Sequence, residues 1–171
     1  EDFRILAIVE KGMLKYEHVP LDYILKVYKK RSDQIINRLD RLHKLNLFVR
    51  WSVSYIGYRL TIPGYDCLAL GSLVSSNTNE AFGHQMGVGK ESDVYDALMP
   101  DNTRVAVKFH RLGRISFRQT KKKRGYTTEH ISWLFQSRLA AEKEFQALRL
   151  LFPYKVAVPA PISQNRHAIA M

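Results

Sequence analysis

The chain has 171 residues, 46% of them hydrophobic and 25% charged, which is enough for one large or two small packed domains and too apolar for a disordered chain. One cysteine, Cys67, excludes a disulfide framework and fits a reducing compartment, and the charges scattered from Glu1 onward leave neither a signal peptide nor an eighteen-residue apolar span. The net charge of +11 is uneven: residues 1–85 hold 12 basic and 9 acidic side chains, and residues 86–171 hold 15 and 7.

Asp2 to Met13 places Phe3, Leu6, Val9 and Met13 on one helical face. Pro20 to Tyr28 predicts a second helix, with Ile24, Leu25 and Tyr28 apolar. A third starts at Ser32, read as its N-cap, and carries Ile35, Ile36, Leu39, Leu42 and Leu45. Two short β-like runs follow, 47–51 and 57–60, and Thr61 caps a fourth helix with Pro63 in its first turn. Three helices and a small hairpin are the order of a winged helix, a helix-turn-helix variant. Such modules often bind nucleic acid, and Arg38, Arg41 and Lys44 stand on polar positions of the third helix. Asp33 and Asp40 stand there too, so a protein-contact or structural role is equally open. Residues 1–74 are assigned to this module and 75–85, opening on Ser-Ser-Asn-Thr-Asn, to a linker and the approach to a first strand.

Residues 86–171 are organised around Met86 to His110. Gly87 and Gly89 remove Cβ atoms where backbone has to close over a ligand. Alternating Val94, Tyr95, Ala97 and Val105, Val107, Phe109 predict two strands joined at Pro100-Asp101-Asn102-Thr103. The second strand carries Lys108, a cation suited to phosphate oxygens. A Walker A loop is excluded, because His84 stands where its first glycine belongs and Glu91 where its hydroxyl belongs. A plain structural hairpin is the alternative, against which a lysine on a buried strand calls for an anionic partner. From about Glu129 to Phe152, Ile131, Leu134, Ala141, Phe145, Leu148 and Leu151 recur at helical spacing. Glu144 lies beside that apolar face, whereas Glu142 sits among Arg138, Gln146 and Arg149 as a surface pair. Glu144 is therefore the candidate partner of Lys108. Val156 to Ile162 is too rich in proline for a central strand, and His167 to Met171 is a last strand. The six histidines show no ligand spacing, so no structural zinc is expected.

Gly-Val-Gly-Lys-Glu-Ser-Asp-Val-Tyr at 87–95, His110 to Arg114 with Ser116-Phe117-Arg118, Trp133-Leu134 through Ser137-Arg138-Leu139, and Asn165-Arg166-His167-Ala168 resemble the winged-helix-bearing subfamily of RIO-type atypical serine/threonine protein kinases in its eukaryotic form. Gly57 to Thr61, Gly64-Tyr65-Asp66 and Leu68-Ala69-Leu70 fit that family's amino-terminal module. The resemblance implies an α+β chain: the winged helix, then at 86–171 the β-rich small lobe of a protein-kinase-like fold with one long helix. It implies ATP with Mg²⁺ as cofactors and a nucleotide site at Gly87, Val88, Gly89, Lys90, Glu91, Ser92, Val94, Lys108, Glu144 and Met171. Ser92 replaces the third glycine of ordinary kinases, as it does in the family. The catalytic Asp and the metal ligands of such kinases belong to a carboxy-terminal lobe outside these residues, so this chain alone is expected to be inactive.

The resemblance further implies a partner, the immature small ribosomal subunit with its RNA, ribosomal proteins and assembly factors, and a cytoplasmic protein that shuttles through the nucleus. No membrane is expected. Nine of the residues from Arg104 to Arg124 are Lys or Arg and none is acidic. Lys121, Lys122, Lys123 and Arg124 are candidates for RNA phosphates, with Phe117 and Tyr126 as stacking rings, and Ser116, Thr120, Thr127 and Thr128 are candidate phosphoacceptors. A solvated basic loop is the plainer reading, and a non-catalytic RNA- or protein-docking module is the alternative to an ATP-using enzyme.

Overall fold

A computed structural model describes residues 1–29, 31–112 and 129–171. They fall into two compact units, Glu1–Leu68 and Ala69–Met171.

In the first unit α1 (Asp2–Gly12), α2 (Leu21–Tyr28) and α3 (Ser32–Lys44) bury Leu6, Val9, Ile24, Ile35, Leu39 and Leu42 as their 3.6-residue periods predict, but Phe3 and Leu45, expected on those faces, are 53% and 60% exposed, and Ile5, not counted on the α1 face, is fully buried. β2 (Phe48–Trp51) and β3 (Gly57–Leu60) form the hairpin. A two-residue strand, β1 (Val19–Pro20), pairs with the other side of β3 and completes an antiparallel sheet in the order β1-β3-β2. This strand is too short to show a period in sequence. Ser32 does not cap α3: it is already the first helical residue, Arg31 occupies the cap position with extended backbone, and no side chain closes the helix start. Asp33 in the first turn and Arg41, His43 and Lys44 in the last complement the helix dipole instead.

α4 (Ile62–Ser75) does start as expected. Gly64 N–H donates to Thr61 Oγ1 at 3.1 Å, and the Thr61 hydroxyl donates in turn to Asn46 O at 2.7 Å. Thr61→Ala should therefore cost about 1 kcal/mol of unfolding free energy in the first unit. A denaturant midpoint unchanged at equal slope would remove the cap from the account. The two units divide inside α4, at Leu68 and Ala69.

The second unit is a five-stranded antiparallel sheet of β4 (Ala81–Val88), β5 (Ser92–Leu98), β6 (Arg104–His110), β7 (Ser163–Asn165) and β8 (Ala168–Ala170), ordered β4-β5-β6-β8-β7. The β5–β6 turn uses Asn102 at φ 64° and closes through the Thr103 N–H bond to Asp101 Oδ1. Residues 156–161 form the connector allowed by their prolines, and β7, not read from the sequence, takes the sheet edge. Alternation divides the sheet faces. Ala97, Val105, Val107, Phe109, Ala168 and Ala170 pack with Ala69 and Leu73 of α4. The opposite row, Gly87, Val94, Lys108 and Ile169, is aligned across four strands by the pairing register. α5 (Glu129–Leu151) buries Ala141 and Leu148, but Leu151, expected on the same stripe, is its last residue and stays 42% exposed.

Candidate functional site

β4 and β5 are joined through Gly89, Lys90 and Glu91, and two backbone hydrogen bonds hold the turn. Gly89 N–H donates to Ser92 O at 2.7 Å, and Arg111 N–H donates to Glu91 O at 2.6 Å, which fastens the turn to the end of β6. A Cβ on Gly89 would stand 3.3 Å from both Ser92 O and Ser92 Oγ, so that Ser92 would have to give by a few tenths of an ångström. A Cβ on Gly87 would meet no atom of the described residues within 4 Å. Gly89 thus serves the turn itself, whereas none of the described residues crowds Gly87.

Beneath the turn lies a buried pair that the sequence reading did not find. Arg111 Nε is 2.9 Å from Asp93 Oδ2, with the two side chains only 9% and 5% exposed. The guanidinium also lies over the Phe109 ring and 3.2 Å from His167 Nε2. The signal was faint: Asp93 and Arg111 sit one residue beyond Ser92 and His110, which become partners only once the β5–β6 register is known.

Lys108 and Glu144 do meet. Lys108 Nζ is 2.7 Å from both carboxylate oxygens of Glu144, and both side chains are about one-quarter to one-third exposed. Leu112 N–H donates to the buried Ser137 Oγ at 3.1 Å and so anchors α5 where β6 ends. Glu142 pairs with Arg138 one turn away on the helix surface. His110, two residues beyond Lys108 and therefore on the same strand face, brings Nε2 to 3.1 Å from Glu144 Oε2, an ion pair only when the imidazole is protonated.

Burial holds the His110 imidazole below its ordinary 6.5. Lys108 and His167 push in the same direction and Glu144 opposes them. The unfolded chain therefore takes up a proton on this residue at higher pH than the folded lobe does. Its contribution favours folding above 6.5 and is lost as pH falls through the window just below. His18 in the first unit, lowered by burial and Arg59, acts in the same sense. Melting curves between pH 7.5 and 5.5 should show each unit losing stability, less so in His110→Gln for the second unit and in His18→Gln for the first. Equal losses in the variants would contradict the assignment.

Met171 N–H donates to Ala106 O at 2.9 Å and Met171 O accepts from Ala106 N–H at 2.8 Å, so its backbone extends the sheet ladder toward β6. Two of the three cations expected on α3 are already engaged: Arg38 contacts Asp2 at 2.7 Å and Glu1 at 2.5 Å, and Arg41 pairs with Asp2. Lys44 is exposed. Lys121, Lys122, Lys123 and Arg124, with Phe117, Tyr126 and the four candidate phosphoacceptors, lie outside the described residues. Among the described residues no three His, Cys, Asp or Glu side chains are placed to hold a metal ion, and no helix is long and apolar enough to cross a membrane.

Comparison with known proteins decides the family. The model of the Rio2 amino-terminal domain matches residues 1–76, and that of the RIO domain matches residues 93–171. The whole chain is 43% identical to a Dictyostelium discoideum protein named serine/threonine-protein kinase rio2 and 45% identical to its Schizosaccharomyces pombe namesake. Over 93% of its length it is 45% identical to the RIO-type serine/threonine-protein kinase Rio2 of Methanocaldococcus jannaschii. The chain belongs to the Rio2 family. It spans 33%, 51% and 58% of those three Rio2 relatives respectively. Among solved structures, the Rio2 kinase–ADP/Mg²⁺–phosphoaspartate complex of Chaetomium thermophilum is 38% identical, superposes with a TM-score of 0.87 over 99% of this chain, and is covered over 51% of its own length. A second Rio2 kinase structure from the same organism gives a TM-score of 0.84 at 39% identity.

Proposed function

We propose that the second unit is the ATP-binding lobe of a Rio2-family serine/threonine protein kinase and ATPase. The observation that carries this is Lys108, held at 2.7 Å by both oxygens of Glu144 on the same cross-strand row as Gly87. The carboxylate fixes an otherwise flexible cation in one place, so that little ordering is left to be done when an anion arrives. Gly87 offers backbone on the cross-strand row of that cation and Val88 and Gly89 continue it into the turn, Lys90 adds charge, Ser92 a hydroxyl donor, and Glu91 O keeps the turn seated on Arg111. Val94 and Met171 supply apolar surface for the base. Mg²⁺ would accompany the nucleotide, on ligands from outside these residues, and neutralise charge on the transferred phosphoryl group. Support for nucleotide and metal comes from the Chaetomium thermophilum relative, whose complex holds ADP and Mg²⁺.

ATP should raise the melting temperature of the second unit progressively with concentration, and adenosine far less, because the phosphates carry the interaction. Equal shifts with both would refute a phosphate site. The same 171 residues should bind without turnover, since positioning by one lobe does not replace the acid and metal ligands of the chemistry. Sustained hydrolysis that disappears in Lys108→Ala would overturn that expectation.

The whole protein is proposed to act in maturation of the small ribosomal subunit, in the cytoplasm with passage through the nucleus, touching ribosomal RNA, ribosomal proteins or assembly factors. The family resemblance and the basic run through Lys121, Lys122, Lys123 and Arg124 support this reading. Changing those four residues to alanine should flatten the dependence of log affinity on log salt by about 2 to 4 units. Changing Arg38, Arg41 and Lys44 should do less, because Arg38 and Arg41 already face carboxylates. Salt slopes equal to wild type in both variants would return the basic run to a solvated loop.

A further inference from the structure

The faces of α1 and α2 leave between them a groove of about 250 Å³ lined by Arg4, Ala7, Ile8, Lys11, Tyr23 and Val27. We propose that it is a docking site for an acidic amphipathic helix of a protein partner. The floor is apolar: Ile8 is buried beneath it, and Val27 at its edge is 40% exposed. The charges around it are of one sign. Arg4 and Lys11 stand seven residues apart on α1, about 10 Å along the helix axis, and bracket the apolar floor from the same side.

These two cations also differ from four of the unit's five other arginines; Arg31, like them, makes no ion pair among the described residues. Arg38, Arg41, Arg50 and Arg59 each face a carboxylate: Glu1 or Asp2 for the first two, then Asp40 and Glu17. Neither Arg4 nor Lys11 makes an ion pair among the described residues. Arg4 lies over the Tyr28 ring, a contact that leaves its guanidinium donors available. Glu10 and Asp22 are on neighbouring turns but do not line the groove. An apolar stripe between two cations spaced by two helical turns is complementary to a helix bearing aliphatic anchors between two acids of the same spacing. Nucleic acid fits less well, because two cations over an aliphatic floor offer little to a phosphate backbone and, with one tyrosine, little to stack on.

The test is an amide-shift titration of the 171-residue chain with a synthetic helical peptide carrying leucines at every third or fourth position and glutamates two turns apart. Saturable shifts are expected at Ala7, Ile8, Lys11, Tyr23 and Val27. A peptide with lysine for each glutamate should bind about tenfold more weakly, and Arg4→Glu with Lys11→Glu should reverse that preference. The peptide comparison needs only the wild-type chain and stands even if the variant misfolds. No saturable shift, equal binding of both peptides, or shifts at these residues with a uridine oligonucleotide in place of the peptide would each overturn the proposal.

Discussion

Replacing Lys108 by alanine is expected to weaken ATP binding by about 10- to 100-fold, the loss of one charged donor worth roughly 1.5–3 kcal/mol at a phosphate. The lobe should stay folded, because the pair is partly exposed and the removed ammonium leaves Glu144 near water and His110 rather than sealed in the core. Glu144→Gln should weaken binding by less, since the cation is retained and only its placement loosens. Because Glu144 acts through Lys108, its removal should add little once Lys108 is gone, so the double variant Lys108→Ala, Glu144→Gln should bind about as Lys108→Ala does. Isothermal titration of the four proteins checks this. Additive losses would mean that the two residues contact nucleotide independently, and an unchanged affinity in Lys108→Ala would remove the site.

The largest stability effect should come from the turn's foundation. Arg111→Ala leaves the carboxylate of Asp93, 5% exposed, without its guanidinium, and Asp93→Ala leaves the reverse. Either change should cost about 3–5 kcal/mol, a large share of the roughly 5–15 kcal/mol that stabilises a domain, and melting should fall by about 15 °C or more. Neither charge alone is the cause, so replacing both, Asp93→Leu with Arg111→Met, should recover much of the loss. The two single variants should also speed exchange of the Gly89 amide, because loosening the buried pair beneath the turn loosens the β6 end to which the turn is bonded. Melting within about 1 kcal/mol of wild type in both would show that the pair is dispensable.

The sequence exposes those features of this site that follow a period. Strand alternation located the two strands, the Val-Ala-Val-Lys run after Gly87 and Gly89 singled out Lys108, and helical phase separated Glu144 from Glu142. Thr61 was legible as a cap because threonine before a proline-led helix has a local reason to be there. What was hidden depends on register or on distant chain. Asp93 meets Arg111 across a strand pair whose alignment no local signal fixes, and Arg38 and Arg41 find Glu1 and Asp2 from 36 to 39 residues away. Ser32 misled because a good capping residue was available one position too late. β1 and β7, with two and three residues, are too short to carry any pattern. His110 was within reach of sequence reasoning: a residue two beyond Lys108 on one strand shares its face, and so had to approach whatever carboxylate Lys108 found.

The central claim, that Lys108 and the Gly87–Ser92 turn form one phosphate site, is tested most directly by following backbone amides of the 171-residue chain as ATP and, separately, adenosine are added. ATP should move Gly87, Gly89, Lys90 and Ser92 together with the neighbours of Lys108 along one saturation curve. Adenosine should leave the turn unmoved, and Lys108→Ala should displace the ATP curve to higher concentration. Turn amides that stay in place with ATP, or respond alike to ATP and adenosine, would contradict it.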